Sequence, residues 1–414
     1  MAVRIPWGVV MALGSEVLGR VSLLAFQFLI ANSLGASSYG TMGLVLASAA
    51  LISPLADLGL SSLVLREVAN NPDPRVTKAL VALKLSGTAL FLVALGIAAY
   101  VLDGGPAGAM GFLFAGAFYA TTSMADFLRT VFRARESAPR ELLGRVLYLG
   151  ILLVVIGLVW WLRPGVRGAL LAWSLPPLGL AGAYAWLLRQ DGVRLRPDLG
   201  AMMAVVRRRG RFLFQAILYL TVVAVSTRLD FWILDARLDR GAVGCYFGAT
   251  NFVMAGAFLS QTLSSHMYPA LARAANAGRR RALARAIGAH VFLGGAMCAG
   301  VLLIGKMIFL QVYRNPGYLP AADLLPAFGA LLLLSTLDYL WLSILIGLDR
   351  QWIAAANLGV MILGKLLLGP FLVDRWGMPG MVWAALASEV IVCLLGGLAA
   401  CGAYLRNQRG DDLP

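Results

Sequence analysis

The chain is expected to be an all-α integral membrane protein, with about twelve transmembrane helices in two six-helix lobes around a central cavity. Composition is the first observation behind this: of 414 residues, 60% are hydrophobic and 13% charged, with a mean hydropathy of +0.80, far to the apolar side of a soluble domain. The second is a succession of roughly a dozen apolar stretches, each long enough at about 1.5 Å per residue to cross a ~30 Å hydrocarbon core. The third is the placement of the basic residues, which sorts the connecting turns into two classes.

Hydropathy places the first six spans at about 7–31, 39–65, 79–102, 108–129, 141–162 and 168–188. The second six fall at about 212–234, 242–265, 286–312, 320–346, 352–373 and 378–404. Turns after spans 2, 4, 6 and 8 hold Arg66, Arg75 and Lys78; Arg129, Arg133, Arg135, Arg140 and Arg145; the run from Arg189 to Arg211; and the run from Arg273 to Arg285. The alternate turns are poor in Lys and Arg, so the basic turns and both termini are expected on the cytoplasmic side. This topology accounts for the net charge of +15, and nucleic acid is not an expected partner.

The longest connection, 191–211, carries the cluster Arg207 to Arg211 and reads as a basic cytoplasmic linker. It would join an N-terminal lobe, 1–190, to a C-terminal lobe, 212–405, leaving 406–414 as a cytoplasmic tail. The cluster is either a topogenic signal or a dock for anionic lipid headgroups. Arg4 opens an apolar run that continues through Glu16 and Arg20 without an A-x-A site, so a retained first helix is expected rather than a cleaved leader. Cys245, Cys298, Cys393 and Cys401 lack CxxC spacing and read as small buried hydrophobes. His266 and His290 have no clustered Cys or carboxylate neighbours, so neither a metal nor another cofactor is expected.

Several spans contain charges at depths that hydrocarbon should exclude: Glu16, Arg20, Arg228, Lys365 and Glu389. Each costs several kcal/mol, about 2.5–3.5 on insertion scales, unless it is paired or faces a watery cavity. A transport path is the reading that gives them a purpose. A weak internal repeat supports two lobes, because LGASSYG (Leu34 to Gly40) can be laid over LDRGAVG (Leu238 to Gly244), each joining the first two spans of its half. Halves with an even number of spans insert in the same direction, as parallel repeats require.

The stretch from Arg20 to Glu67 then reads as a unit: an arginine in span 1, LGASSYG at the outer turn, and span 2 ending in DLGLSSLVLRE. It resembles the polysaccharide transporters of the multidrug/oligosaccharidyl-lipid/polysaccharide exporter superfamily, particularly Wzx-type O-antigen and exopolysaccharide repeat-unit flippases. Leu34, Gly35, Tyr39, Gly40, Asp57, Gly59, Leu60, Arg66 and Glu67 carry the resemblance. The twelve-span form lacks the extra pair of the lipid II flippases. The resemblance implies a bacterial inner-membrane protein, not an enzyme, that carries an undecaprenyl-diphosphate-linked oligosaccharide to the periplasmic leaflet. Membrane lipids, polysaccharide polymerases and glycosyltransferases are the further partners it implies. GxxxxGK[ST] is absent, so energy would come from ion or voltage coupling or from consumption of the product.

On span 1, Glu16, Arg20 and Gln27 share a face. An arginine suits a diphosphate because its planar guanidinium donates in a bidentate fork and stays charged. Arg66, Arg20 and Arg228 form a possible ladder from the cytoplasmic end outward, with Gln27 as a further substrate contact. The plainer alternatives are that Glu16 only neutralises Arg20 and that Arg66 is topogenic. Glu16, Asp57, Asp126, Asp230 and Asp338 are candidates for ion coupling, because a carboxylate in apolar surroundings can take up a proton or Na+; Asp126 could instead simply pair with Arg129. Lys365 and Glu389 lie at similar distances from the turn at Asp374 to Met378 and are expected to form a structural pair. Lys84 and Lys306 are expected to snorkel to the interface, and Trp160, Trp161, Tyr268, Tyr313 and Trp376 to form an aromatic belt. Pro54, Pro176, Pro177 and Pro326 are expected to interrupt spans.

Three rival functions remain. A drug or organic-cation antiporter calls for an acidic, aromatic cavity. A membrane polymerase or ligase calls for a large periplasmic loop, and the turns here are short. A non-transporting scaffold for polysaccharide assembly leaves the buried charges without a role.

Overall fold

The computed structural model describes residues 7–70, 74–103, 106–135, 137–193, 195–264, 267, 280–348 and 350–409, and the side chains of Glu16, Arg20 and Arg66, among others, lie outside the description. Among the described residues there is no strand. The helices are α1 (Trp7–Ile52), α2 (Pro54–Asp57), α3 (Leu60–Asn70), α4 (Pro74–Asp103), α5 (Pro106–Ala134), α6 (Ala138–Leu162), α7 (Val166–Gln190), α8 (Leu199–Arg237) and α9 (Arg240–Met254). They continue as α10 (Ala257–Ser264), α11 (Arg280–Gly300), α12 (Lys306–Val312), α13 (Leu325–Gly347), α14 (Gln351–Trp376) and α15 (Met378–Arg409). A π-helical turn, Val301–Gly305, joins α11 to α12, and a 3₁₀ segment, Pro316–Leu324, leads into α13.

Nine helices among the described residues are long and apolar enough to cross a membrane, and the bent pair of α9 and α10 makes ten. Two features separate this from twelve. α1 breaks at Gly35, with φ 75° and ψ 169°, so its two limbs count as separate spans. α5 has the length, at 29 residues, but carries Thr121, Thr122, Ser123 and Asp126. A span that lines a polar site is less apolar than one that faces only lipid.

The membrane reading is visible on the outside of the helices. Val93 and Ile97 on α4, Leu153 and Val154 on α6, and Leu367 on α14 are exposed large apolar side chains, an arrangement that lipid rather than water satisfies. Trp160, Trp161 and Trp376 are exposed near helix ends, where an interfacial belt would sit. Tyr313 is not part of such a belt: it is buried, stacks on Phe309 with centroids 4.4 Å apart and donates to the Gly248 carbonyl at 3.0 Å. Tyr268 lies outside the described residues.

The chain forms two compact units, one of Met1–Leu34 with Leu44–Ala224, the other of Gly35–Gly43 with Val225–Pro414. The segment 191–211, read from sequence as a linker, is helical from Leu199 onward, and the units divide within α8. α5 and α7 make the principal packing of the N-terminal unit, and α14 with α15 that of the C-terminal unit.

Within the C-terminal unit the two copies of the weak repeat meet. A Cβ on Gly40 would strike the Arg240 carbonyl oxygen and the Gly244 nitrogen, and one on Gly244 would strike the Ala36 carbonyl and the Gly40 nitrogen. The contact is reciprocal, as a crossing of two equivalent segments must be, and only residues without a Cβ let the backbones approach this closely. Tyr39, beside Gly40, is fully buried in an aromatic cluster with Phe247, centroids 4.8 Å apart, and Tyr318, 6.2 Å. Its phenolic oxygen accepts from Asn251 Nδ2 at 3.1 Å.

The other half of the motif, DLGL, builds a break. Leu58 and Gly59 both adopt positive φ, 53° and 69°, which ends α2 at Asp57 and restarts the helix at Leu60. Gly59 is required twice over, by its φ and by a close approach to Ala216 of α8. Pro54 stands at the start of α2 and Pro326 at the start of α13, while Pro176 and Pro177 are carried inside an unbroken α7.

Candidate functional site

The helix break positions a buried cation in the N-terminal unit. Because α2 stops at Asp57, its last carbonyls have no intrahelical donor. Lys84 of α4 supplies one: its ammonium donates to the Ala56 carbonyl at 2.6 Å and to the Ser123 hydroxyl on α5. Positive charge at a helix C-terminus is also the favourable sign for the helix dipole. Asp57 and Asp126 are its electrostatic neighbours, and Asp57 accepts a long hydrogen bond from Ser61 at 3.4 Å. Lys84 is 0% exposed, which corrects the expectation that it snorkels. Its partners lie inward, so the side chain turns inward. Lys306 does reach out, pairing with Asp323 at 2.8 Å in an exposed position.

Next to this cluster is a cavity of about 140 Å³ with Gly19 of α1, Thr122, Asp126 and Arg129 of α5, and Arg145 and Tyr148 of α6 among its walls. Asp126 and Arg129 form an ion pair at 3.0 Å. Arg145 forms none with any described residue. Its guanidinium carbon lies 5.9 Å from the Tyr148 ring centroid, against the backbone of Gly19, and its Nε is buried without a hydrogen-bond partner. Neighbouring arginines differ, for Arg133 is held by Glu141 at 2.7 Å and Arg140 by Asp191 at 2.9 Å.

The C-terminal unit has a second buried cluster. Lys365 of α14 is 6% exposed, pairs with Asp230 of α8 at 2.8 Å and donates to the Ser226 carbonyl at 2.8 Å. The other oxygen of Asp230 accepts from the Tyr246 hydroxyl at 2.7 Å. Glu389 of α15 accepts from Ser335 at 3.0 Å and lies in the field of Lys365, Asp230 and Asp338. One ammonium therefore lies beside two carboxylates, Asp230 and Glu389, and Asp338 adjoins Glu389. Asp338 Oδ1 is buried with no hydrogen-bond partner. The expected Lys365–Glu389 pair is corrected in its partner: the ammonium bonds Asp230 and the Ser226 carbonyl of α8, while Glu389 of α15 accepts from Ser335.

Of the residues singled out from sequence, Asp230, Asp338, Lys365 and Glu389 come together in this cluster, and Asp57 and Asp126 flank Lys84. Gln27 is half-buried on α1. Arg228 is half-buried on α8, with its guanidinium carbon 6.0 Å from the Phe231 ring centroid. The side chains of Glu16, Arg20 and Arg66 lie outside the description. Glu67, the last residue of the motif, is buried and ties Arg208 and Arg209 at 2.5 and 2.6 Å, so two arginines of the basic cluster are anchored to α3. His290 is buried, bonded to Ser264 at 2.9 Å and to the Ala286 carbonyl at 2.8 Å. No group able to hold a metal occurs among the described residues. Sequence reasoning assigned Arg145 to a loop and Tyr246 to nothing. The signal available for Arg145 was its position one turn after Glu141, inside the apolar run that follows.

Long apolar helices carrying buried charges define a helical membrane protein, and its fold is similar to those of solved transporters. An inward-facing multidrug resistance transporter of the MATE family and MOP superfamily aligns with a TM-score of 0.67 at 16% identity, over 95% of this chain and 98% of that one. The lipid II flippase MurJ, in an inward closed conformation, gives 0.71 at 11% identity, over 97% and 90%. A MOP superfamily transporter from Pyrococcus furiosus, described by a reversed polarity of its binding pocket, gives 0.66 at 14%, over 97% and 95%. A search of curated proteins returns no match. The family model for polysaccharide biosynthesis proteins matches residues 8–275, and the chain belongs to that family.

Proposed function

We propose that this protein is a flippase that carries an undecaprenyl-diphosphate-linked oligosaccharide repeat unit across the bacterial inner membrane by alternating access, for assembly of a cell-surface polysaccharide. The observation that carries the reading is a pair of half-buried guanidiniums, Arg145 and Arg228, on apolar helices and without a carboxylate partner among the described residues. A cation in that setting is costly until an anion reaches it, and a diphosphate supplies the matching charge and acceptor geometry. Arg20, Arg66 and Gln27 belong to the same proposed path. The lobes 1–190 and 212–405 are the bodies that would alternate, with both termini cytoplasmic.

Asp230, Asp338 and Glu389 are the proposed ion-coupling groups, since Asp230 and Glu389 beside one ammonium, with Asp338 adjoining Glu389, leave negative charge for a proton or Na+ to offset. Glu16, Asp57 and Asp126 are the further candidates. The same carboxylates favour the second reading, a proton- or sodium-coupled organic-cation antiporter.

Proteoliposomes separate the readings. A labelled polyprenyl-diphosphate oligosaccharide is followed by its accessibility from outside, in wild type and in Arg20→Ala and Arg228→Ala variants. Protein-dependent translocation that is lost in both variants is expected. Ion-driven uptake of organic cations without lipid translocation would assign the protein to the antiporters, and neither activity would leave it a scaffold.

A further inference from the structure

The cavity of the N-terminal unit was not among the sites anticipated from sequence, and its composition is selective. Its charged walls are Arg129, Arg145 and Asp126. With Asp126 matched by Arg129 at 3.0 Å, Arg145 has no carboxylate paired with it among the described residues. Arg145 lies seven residues into α6, about 10 Å along the helix from its start, so it is set below the level at which a terminal arginine meets bulk water. Its Nε, buried and without a partner, is one edge of the guanidinium fork. The Thr122 hydroxyl, another wall of the cavity, is likewise buried without a hydrogen-bond partner. Among the described residues these two donors have no acceptor in a space of about 140 Å³, and an acceptor-rich anion would supply one.

The geometry points to this cavity as a binding site for the phosphoryl group of a lipid-borne anion, with Arg145 as its principal donor and Thr122 and Arg129 as secondary ones. A phosphoryl group fits better than a carboxylate, because it has more oxygens to share among donors arriving from α5 and from α6. An organic cation would meet an uncompensated arginine. A free sugar would leave the charge unanswered. The lipid-borne source rests on the flippase reading above; the phosphoryl chemistry rests on the cavity alone. Arg145 would hold the headgroup near the helix end that carries the basic turns, where an anionic substrate is first captured.

The test is binding at rest, without transport. Full-length protein in phosphatidylcholine nanodiscs is titrated calorimetrically with farnesyl diphosphate, comparing wild type, Arg145→Ala, Arg145→Lys and, as a control, Arg167→Ala, an exposed arginine at the opening of α7. Arg145→Ala should weaken binding at least tenfold. Arg145→Lys should fall between, since it keeps the charge and loses the fork, and Arg167→Ala should match wild type. Thermal melting of each variant in the same nanodiscs checks that the fold is retained. Equal affinities across the four proteins would overturn the site. In a second arm part of the phosphatidylcholine is replaced by phosphatidylglycerol. Competition with the probe in wild type but not in Arg145→Ala would assign the phosphoryl group to bilayer headgroups, whereas no competition would assign it to a diphosphate carrier; both uphold the site. Arg145-dependent binding in a protein that moves no lipid-linked glycan would sink the flippase reading alone, and translocation with binding indifferent to Arg145 would sink the site alone.

Discussion

Among the described residues of the N-terminal unit, Lys84, Arg129 and Arg145 lie beside two carboxylates, Asp57 and Asp126, whereas in the C-terminal unit the one ammonium of Lys365 lies beside Asp230 and Glu389, with Asp338 adjoining Glu389. Among the described residues the first cluster has a cation in excess and the second a carboxylate in excess. Lys84 and Lys365 are buried on helices long enough to span a bilayer, where an unanswered charge is costly in either sign. The difference teaches that the burial of charge here is not one structural device used twice. Under the flippase reading proposed above, the two units would have complementary tasks, an anionic headgroup held in one and a coupling cation in the other.

The comparison breaks most visibly at Lys365. Replacing it by Ala strands Asp230 and Glu389 without their ammonium, and loss of one partner of a buried pair costs about 3–5 kcal/mol. Thermal melting in detergent should register a steep loss, with reduced folded yield. Lys365→Met combined with Asp230→Asn should be milder, because charge and countercharge leave together. A Lys365→Ala protein that melts like wild type would mean that the carboxylates are already neutralised by something other than the lysine, and the contrast between units would lose its basis.

Lys84→Met should cost less, about 2–3 kcal/mol, as the loss of buried hydrogen bonds to a charged donor. Its partners are a carbonyl and a hydroxyl, with the two carboxylates only nearby. The same melting series reads it out, and a loss as large as that of Lys365→Ala would make the two lysines equivalent. Asp338→Asn addresses the other side of the contrast. It removes a carboxylate whose Oδ1 has no hydrogen-bond partner, so stability should change little while the dependence of transport on a proton or Na+ gradient is blunted. Gradient dependence unchanged from wild type would remove Asp338 from the coupling groups.

How much of this was legible in the sequence depends on what each signal measures. Hydropathy responds to helices facing lipid, so it delivered the span order, but it began the seventh span at 212 where α8 begins at Leu199 and ran the second span through the break between α2 and α3. Gly40 and Gly244 were visible as a repeat because a backbone crossing admits no Cβ at either copy. Charge partners were harder. Lys84 read as a snorkelling lysine because its distance from a span end is ordinary, and nothing local reveals that a break at Leu58 and Gly59 leaves a carbonyl for it to cap. Lys365 was matched with Glu389 by hairpin arithmetic, but its bond goes to Asp230, some 135 residues earlier in the chain, as α8 and α14 pack. Arg145 was counted into a basic turn because positive-inside reasoning groups loop-flanking arginines and cannot tell an ion-paired one, such as Arg133, from one left unpaired at a cavity wall.

Arg145 also yields the smallest expected effect on stability and the sharpest form of the comparison. A residue that holds a fold together shows its worth when it is removed; one kept for a ligand does not. Arg145 has no ion-pair partner among the described residues and a single cation–ring contact at 5.9 Å, which at a partly exposed site contributes only about 0.5–1 kcal/mol. Relieving its unanswered charge works in the opposite direction. Arg145→Ala should therefore melt within about 0.5 kcal/mol of wild type, in the same detergent in which Lys365→Ala fails. If Arg145→Ala were instead strongly destabilising, the arginine would be part of the packing of α6 on α1, and the cavity would have no spare charge to offer a substrate. A near-neutral melt combined with lost diphosphate binding is the pairing that a structural role cannot produce.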